Sequence, residues 1–163
     1  MGQTIDGGCL CGRVRYRAAQ PPLHTLVCHC TFCQRVTGSL AYSESLFPMD
    51  AVQFSGAPMR CYAHCSDTSG KQVIVNFCET CGTTVSLTFE RGPDVRAISR
   101  GTMDAPEGVE VTAHIWTRSA HSGGALPAGI DCFDQARANL DGAAKTPRRL
   151  DVPVMVGPRP DVA

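Results

Sequence analysis

Neither sign of charge is in surplus: 163 residues carry 15 Lys plus Arg against 15 Asp plus Glu. Proteins that hold nucleic acid or an anionic membrane through their overall field have a basic excess, so neither partner is expected here. No run of 18 apolar residues occurs, and with it goes the expectation of a transmembrane helix. The opening Met-Gly-Gln-Thr-Ile-Asp has neither the charged nor the apolar region of a secretory leader. Asp6 stands where a myristoylation signal needs Ser or Thr. A cytoplasmic location is the resulting expectation. Internal repeats and low-complexity tracts are missing too, and helical periodicity is scarce.

What is present is a chain long enough to bury a core, with 43% hydrophobic residues. Strand periodicity dominates. Residues 13–17 alternate, with Val14 and Tyr16 on one face and three arginines on the other. Residues 84–89 alternate as well, predicting Val85, Leu87 and Phe89 inside and Thr84, Ser86 and Thr88 outside. Residues 109–116 form a third case, and weaker strands are expected at 23–27, 40–46, 52–54, 59–62, 72–77 and 95–99. Gly, Pro, Asp and Ser clusters separate them. Short helices are expected at 31–36, with Thr31 as cap, and at 133–140. Past Asp141 periodicity stops, which predicts an irregular tail over 141–163 after a domain over 1–140. The fold class is mainly β.

The chain has ten cysteines. Reducing cytosol keeps thiols free, so at this density metal ligation is the leading reading and disulfides the alternative. Cys78 and Cys81, followed by Gly82, have the spacing of a zinc knuckle, which turns two sulfurs towards one ion. Structural zinc takes four ligands, and the matching close pair beside glycine is Cys9 and Cys11. An extended Cys-x-Cys would place both side chains on one face. Cys28, Cys30 and Cys33 offer three thiolates within six residues. Three protein ligands with an exchangeable fourth position is the arrangement of catalytic zinc. The alternative is a fourth side chain closing the site, with Cys61, Cys65, His64 or His29 as candidates.

Several stretches resemble the glutathione-dependent formaldehyde-activating enzyme family. They are Gly7-Gly8-Cys9-Leu10-Cys11-Gly12, Val14-Arg15-Tyr16, and Cys28-His29-Cys30-Thr31-Phe32-Cys33-Gln34-Arg35 with Gly38-Ser39. Phe77-Cys78-Glu79-Thr80-Cys81-Gly82-Thr83, Gly101-Thr102-Met103-Asp104 and His114-Ile115-Trp116 follow in order, so the resemblance covers roughly residues 5 to 118. The resemblance implies a β-tent of small antiparallel sheets. It implies a structural zinc on Cys9, Cys11, Cys78 and Cys81, and a second zinc on Cys28, Cys30 and Cys33 where a thiol such as glutathione engages. Cys61, His64 and Cys65 have no counterpart in that pattern.

Other residues carry weaker signals. His114 either lines a pocket near the second zinc or is a partly exposed histidine bonded to backbone. Trp116 reads as packing, Asp104 as a turn residue, and Cys132 as a small buried apolar residue. Arg35 and Lys71 are candidates for pairing with substrate carboxylates, against the commoner reading as isolated surface cations.

The leading functional expectation is a zinc-dependent carbon–sulfur lyase acting on the adduct of a thiol, such as glutathione, with a small aldehyde such as formaldehyde. The competing readings are a non-catalytic zinc module that binds a thiol or a protein, and a thiol-based redox or metal sensor using Cys61, Cys65 and the site of Cys28, Cys30 and Cys33. Unequal ligand counts at the two sites predict two zinc ions per chain of unequal lability. Elemental analysis with a timed chelator assay checks this, and a single ion, or two lost at one rate, would contradict it.

Overall fold

Alternation of apolar and polar side chains, broken by glycine and proline, sets the strands of the computed structural model, which describes residues 4–158. In chain order they are β1 (Ile5–Gly8), β2 (Val14–Ala18), β3 (His24–Cys28), β4 (Tyr42–Pro48), β5 (Val52–Gly56), β6 (Met59–Cys65) and β7 (Gln72–Cys78). There follow β8 (Thr84–Phe89), β9 (Gly92–Ser99), β10 (Ala113–Ile115), β11 (Ala125–Leu126), β12 (Asp131–Cys132) and β13 (Val154–Met155). The α-helix among the described residues is α1 (Thr31–Thr37). The class is mainly β, and no described helix is long and apolar enough to cross a membrane.

The chain divides into two compact units, one of residues 1–25 with 44–110 and the other of residues 26–43 with 111–163. In the first unit β1, β2 and β5 form an antiparallel sheet, with Ile5 opposite Ala18 and Val14 opposite Gly56. A second set of antiparallel strands runs in the order β4, β9, β8, β7, β6. Val14, Tyr16, Phe47, Val85 and Ile98 are among the buried side chains of a single core, and Cys9 and Cys78 belong to it. β8 departs from simple alternation. Ser86 is as fully buried as Val85 and Leu87, while Phe89, beside a register shift against β9, is only half-buried.

In the second unit β10 lies parallel to both β3 and β12, with Ala113 opposite Leu26 and His114 opposite Cys132. This departs from an all-antiparallel expectation. Parallel neighbours need long connections, and the chain between β3 and β10 is long enough to supply one.

Two expected elements are shorter or missing, for a common reason. The strand expected at 109–116 contracts to β10, because Arg100 takes the carbonyls of Pro106 and Val109 with its guanidinium and holds that stretch in a turn. No helix forms over 133–140. Its backbone groups are used laterally: Phe133 N donates to His114 O, while the N–H groups of Trp116 and Thr117 donate to Gln135 and Phe133 carbonyls. The segment after Asp141 is mostly irregular but returns along its own unit. Arg148 bridges Cys132, Lys145 N donates to Arg137 O, and β13 pairs with β11. The unit boundaries therefore do not fall at residue 140.

Close packing at Gly7 leaves no room for a side chain. A Cβ there would overlap the Tyr16 hydroxyl and the Thr102 carbonyl, whereas one at Gly101 would meet nothing within 4 Å. Gly7→Ala is expected to cost about 1–3 kcal/mol by overpacking, and Gly101→Ala less than about 0.5 kcal/mol. Urea unfolding of both variants checks the contrast, and equal losses would contradict it.

Candidate metal centres

Two tight turns, both in the first unit, bring four cysteines together. The first follows β1: Gly12 N donates to Cys9 O (2.9 Å), and Cys9 N donates to Val14 O (3.0 Å). Cys9 and Cys11 thus sit on a turn rather than in an extended strand, and the turn, not the pleat, aims both sulfurs. The second turn follows β7. Gly82 N donates to Cys78 O (2.9 Å), and Gly82 has φ 69°, a left-handed conformation that glycine adopts without steric cost. Thr83 ties the turns together, its hydroxyl accepting from Leu10 N at 3.2 Å.

The sulfurs of Cys9, Cys11, Cys78 and Cys81 all lie within 4.8 Å of one another. Cys9 and Cys11 Sγ are 3.5 Å apart, and Cys11 and Cys78 Sγ 3.7 Å. Four thiolates at about 2.3 Å from a tetrahedral zinc have edges of about 3.8 Å, so the donor set fits that ion. The surroundings pull these thiols apart in acidity: against a backbone hydrogen bond at Arg13, desolvation and the neighbouring thiols push Cys11 up to about 11, while Cys81 and Cys9 are lowered. The Thr83 hydroxyl, with the Thr83 N–H, draws the Cys81 thiol down to about 5. Cys9 Sγ accepts from Val14 N at 3.3 Å.

The second group lies in the second unit, where Cys28 ends β3 and Cys30 and Cys33 begin α1. The helix cap is Cys30 rather than Thr31: its backbone is extended and its sulfur accepts from Cys33 N at 3.4 Å. Gly38 closes the helix with φ 62°. The three sulfurs lie within 4.8 Å of one another, with Cys28 and Cys33 buried and Cys30 half-buried. The Cys28 and Cys33 thiols, assisted by the N–H groups of Cys33 and Phe32, hold Cys30 far below the ordinary thiol range against the opposing effect of burial. No further His, Cys, Asp or Glu among the described residues joins this group.

His29, considered as a fourth ligand, is engaged elsewhere. Its Nε2 lies 2.9 Å from His114 Nδ1, and the rings stack at 26°. Both imidazoles are buried, at 5% and 7% exposure, which replaces the expected partly exposed His114. Burial, and then the neighbouring His114, push His29 down to about 4; burial lowers His114 as well. At neutral pH both rings are therefore uncharged, one donating and the other accepting. Gln34 pins the same loop, its Nε2 donating to His29 O (2.8 Å) and Ser119 O (2.9 Å). Neither the pairing of the histidines nor the Gln34 clamp has a signal in local sequence, because their partners lie 85 residues away.

Other candidates resolve as follows. Cys61 and Cys65 are exposed on β6 and His64 lies between them. Lys71 is committed to Glu90 at 2.8 Å, and Arg35 is exposed on α1. Asp104 forms a two-pronged pair with Arg15. Cys132 is buried, at 1% exposure. Trp116 adopts a left-handed backbone with φ 58°, and the Arg118 guanidinium lies 5.3 Å from its ring centroid.

The family described as glutathione-dependent formaldehyde-activating enzyme matches residues 4–119. No curated protein matches the chain. Three solved chains match. One of them, a crystal structure of a Rhodobacter sphaeroides protein, aligns with a TM-score of 0.51 and 17% identity, over 65% of this chain and 96% of that one. At that identity the likeness concerns the fold alone.

The four-cysteine group joins turns from two sheets, whereas the three-cysteine group closes a loop of six residues. Metal at a four-thiolate site contributes folding energy on the order of 10 kcal/mol. Cys78→Ser is accordingly expected to collapse the fold and Cys33→Ser to leave it standing. Thermal melts of the two variants decide this, and equal destabilisation would contradict it.

Proposed function

Because this chain belongs to the glutathione-dependent formaldehyde-activating enzyme family, we propose that it is a zinc-dependent carbon–sulfur lyase acting on the adduct of a thiol with a small aldehyde. The observation that carries the proposal is the ligand count at the second group. Cys28, Cys30 and Cys33 converge, and no further His, Cys, Asp or Glu among the described residues joins them. A tetrahedral ion there keeps one position for an external ligand. Cys9, Cys11, Cys78 and Cys81 would hold the structural zinc.

A zinc ion at Cys28, Cys30 and Cys33 would supply the charge that keeps an incoming thiol ionised near neutral pH. The reaction itself is an addition: the thiol sulfur bonds to the carbonyl carbon, the carbonyl π pair moves to oxygen, and that oxygen takes the proton the thiol gave up. The lyase direction breaks the same carbon–sulfur bond and returns the proton to sulfur. Three thiolates make the site electron-rich, so its chemistry favours binding and exchange of sulfur over strong polarisation of a carbonyl. The neutral His29–His114 pair adds no cation beside Cys28 and Cys30, and holds their loop through a hydrogen bond of 2.9 Å. Glutathione is the model thiol on the strength of the family.

Cobalt in place of zinc makes the open position visible, since a fourth sulfur intensifies the thiolate charge-transfer band. Titrating glutathione into cobalt-loaded protein is expected to change the spectrum saturably, and Cys30→Ser to abolish the change. An unresponsive spectrum would overturn the lyase reading and leave a binding module as the better one.

A further inference from the structure

In the first unit β6 is an edge strand, with β7 on one side and no described strand on the other. Natural edges are usually blunted by proline, lysine, bulges or very short length. β6 has none of these: Met59–Cys65 runs seven residues in unbroken register with β7. Its one formal charge, Arg60, is already paired with Glu79 of the same chain at 2.9 Å. Cys61, Tyr62, Ala63 and Cys65 are all exposed.

The order of these side chains is the second observation. Read from either end, Cys61-Tyr62-Ala63-His64-Cys65 presents thiol, aromatic ring, methyl, aromatic ring, thiol. A strand with that symmetry about its centre is complementary to an antiparallel copy of itself. Within one chain the two thiols have no use for each other. They stand on one face but four residues apart, about 13 Å along the strand, and a disulfide needs Cα atoms within about 7 Å.

We propose that β6 pairs antiparallel with β6 of a second copy of this chain about a two-fold axis at Ala63, placing Cys61 opposite Cys65 of the second copy. The two-fold repeats the contact, so Cys65 meets Cys61 of the second copy and the assembly closes as a dimer. Tyr62 faces His64 of the second copy, an aromatic cross-strand pair of the kind that stabilises sheets. Directly opposed residues of antiparallel strands have Cα atoms about 4.5–5.5 Å apart, inside the disulfide range of about 4.4–6.8 Å whichever hydrogen-bonding parity applies. One added strand buries less than the roughly 1,000 Å² of a stable interface, so the reduced dimer is weak and the thiols provide its lock. In the locking step a small organic disulfide is the oxidant. Each opposed thiol pair loses two protons and two electrons and gains one S–S bond, while the oxidant is cleaved to two thiols that take up those protons and electrons.

The test uses zinc-loaded protein and hydroxyethyl disulfide, which keeps glutathione and the proposed lyase site out of the readout. Non-reducing electrophoresis is expected to show wild type as a covalent dimer of the 17.4 kDa chain, reversed by excess thiol. Cys61→Ser alone and Cys65→Ser alone are each expected to lose it, because every bond in the proposed register needs one of each. An equal mixture of the two variants is expected to regain a dimer, singly linked through Cys65 of one copy and Cys61 of the other. Ala63→Glu, which sets like charges face to face on the axis, is expected to cut the cross-linked yield up to about fivefold. A dimer that persists in either single variant, no recovery in the mixture, or no wild-type dimer would each overturn the proposal. Failure here leaves the lyase reading untouched, since cobalt titration of the second cysteine group reads that separately.

Discussion

Four sulfur atoms brought within 4.8 Å by two glycine-containing turns are the constraint on which the first unit rests. One turn leaves the sheet of β1, β2 and β5; the other leaves the set of strands that includes β7 and β8. Cys9 and Cys78 lie at 5% and 1% exposure inside the same apolar core as Val14, Phe47 and Ile98. The turns therefore join at the point where the two sheets also share their hydrophobic contact. Burying polarisable sulfurs among apolar side chains costs little, whereas burying Cys9 and Cys78 as unpaired thiolates would cost a great deal. A divalent cation held by the four sulfurs would remove that penalty, and the donor set is compatible with one.

The three-cysteine group answers to different physics. Its ligands sit on one short loop and the first turn of α1, so it cross-links almost nothing and depends on its neighbours for shape. Those neighbours are β10 and the chain after it: His29 N donates to Ile115 O (2.9 Å), and Gln34 spans from His29 to Ser119. Two uncharged imidazoles complete the support. A loop fixed from outside, whose three sulfurs would leave a bound ion one position short, would suit exchange of ligands better than a closed cage does.

The family pattern and the edge strand divide the cysteines by role. Seven lie in the two candidate metal groups and Cys132 is buried, which leaves Cys61 and Cys65 as exposed thiols outside any motif. Their position on β6, rather than their number, gives them meaning. Thiols on an unpaired sheet edge are presented in the one geometry where a second strand can meet them in register.

Local sequence determined the elements whose cause is local. Period-two alternation marked β2 and β8, and the Cys-x-x-Cys-Gly knuckle and the Cys28 to Cys33 spacing marked both groups of sulfurs, because turn geometry and side-chain direction depend on a few adjacent residues. β1 escaped notice, since Gly7 and Gly8 have no side chains to alternate. The pairing of Cys9 and Cys11 with the knuckle was inferable from ligand number, though the turn that aims them was not. Tertiary structure alone decided the rest. Arg100 cut short the strand at 109–116, lateral backbone bonds replaced a helix at 133–140, and His114 was buried against His29. Each of these outcomes depends on a hydrogen-bond partner from another segment of the chain, and periodicity along one segment carries no information about which groups a distant segment will offer it.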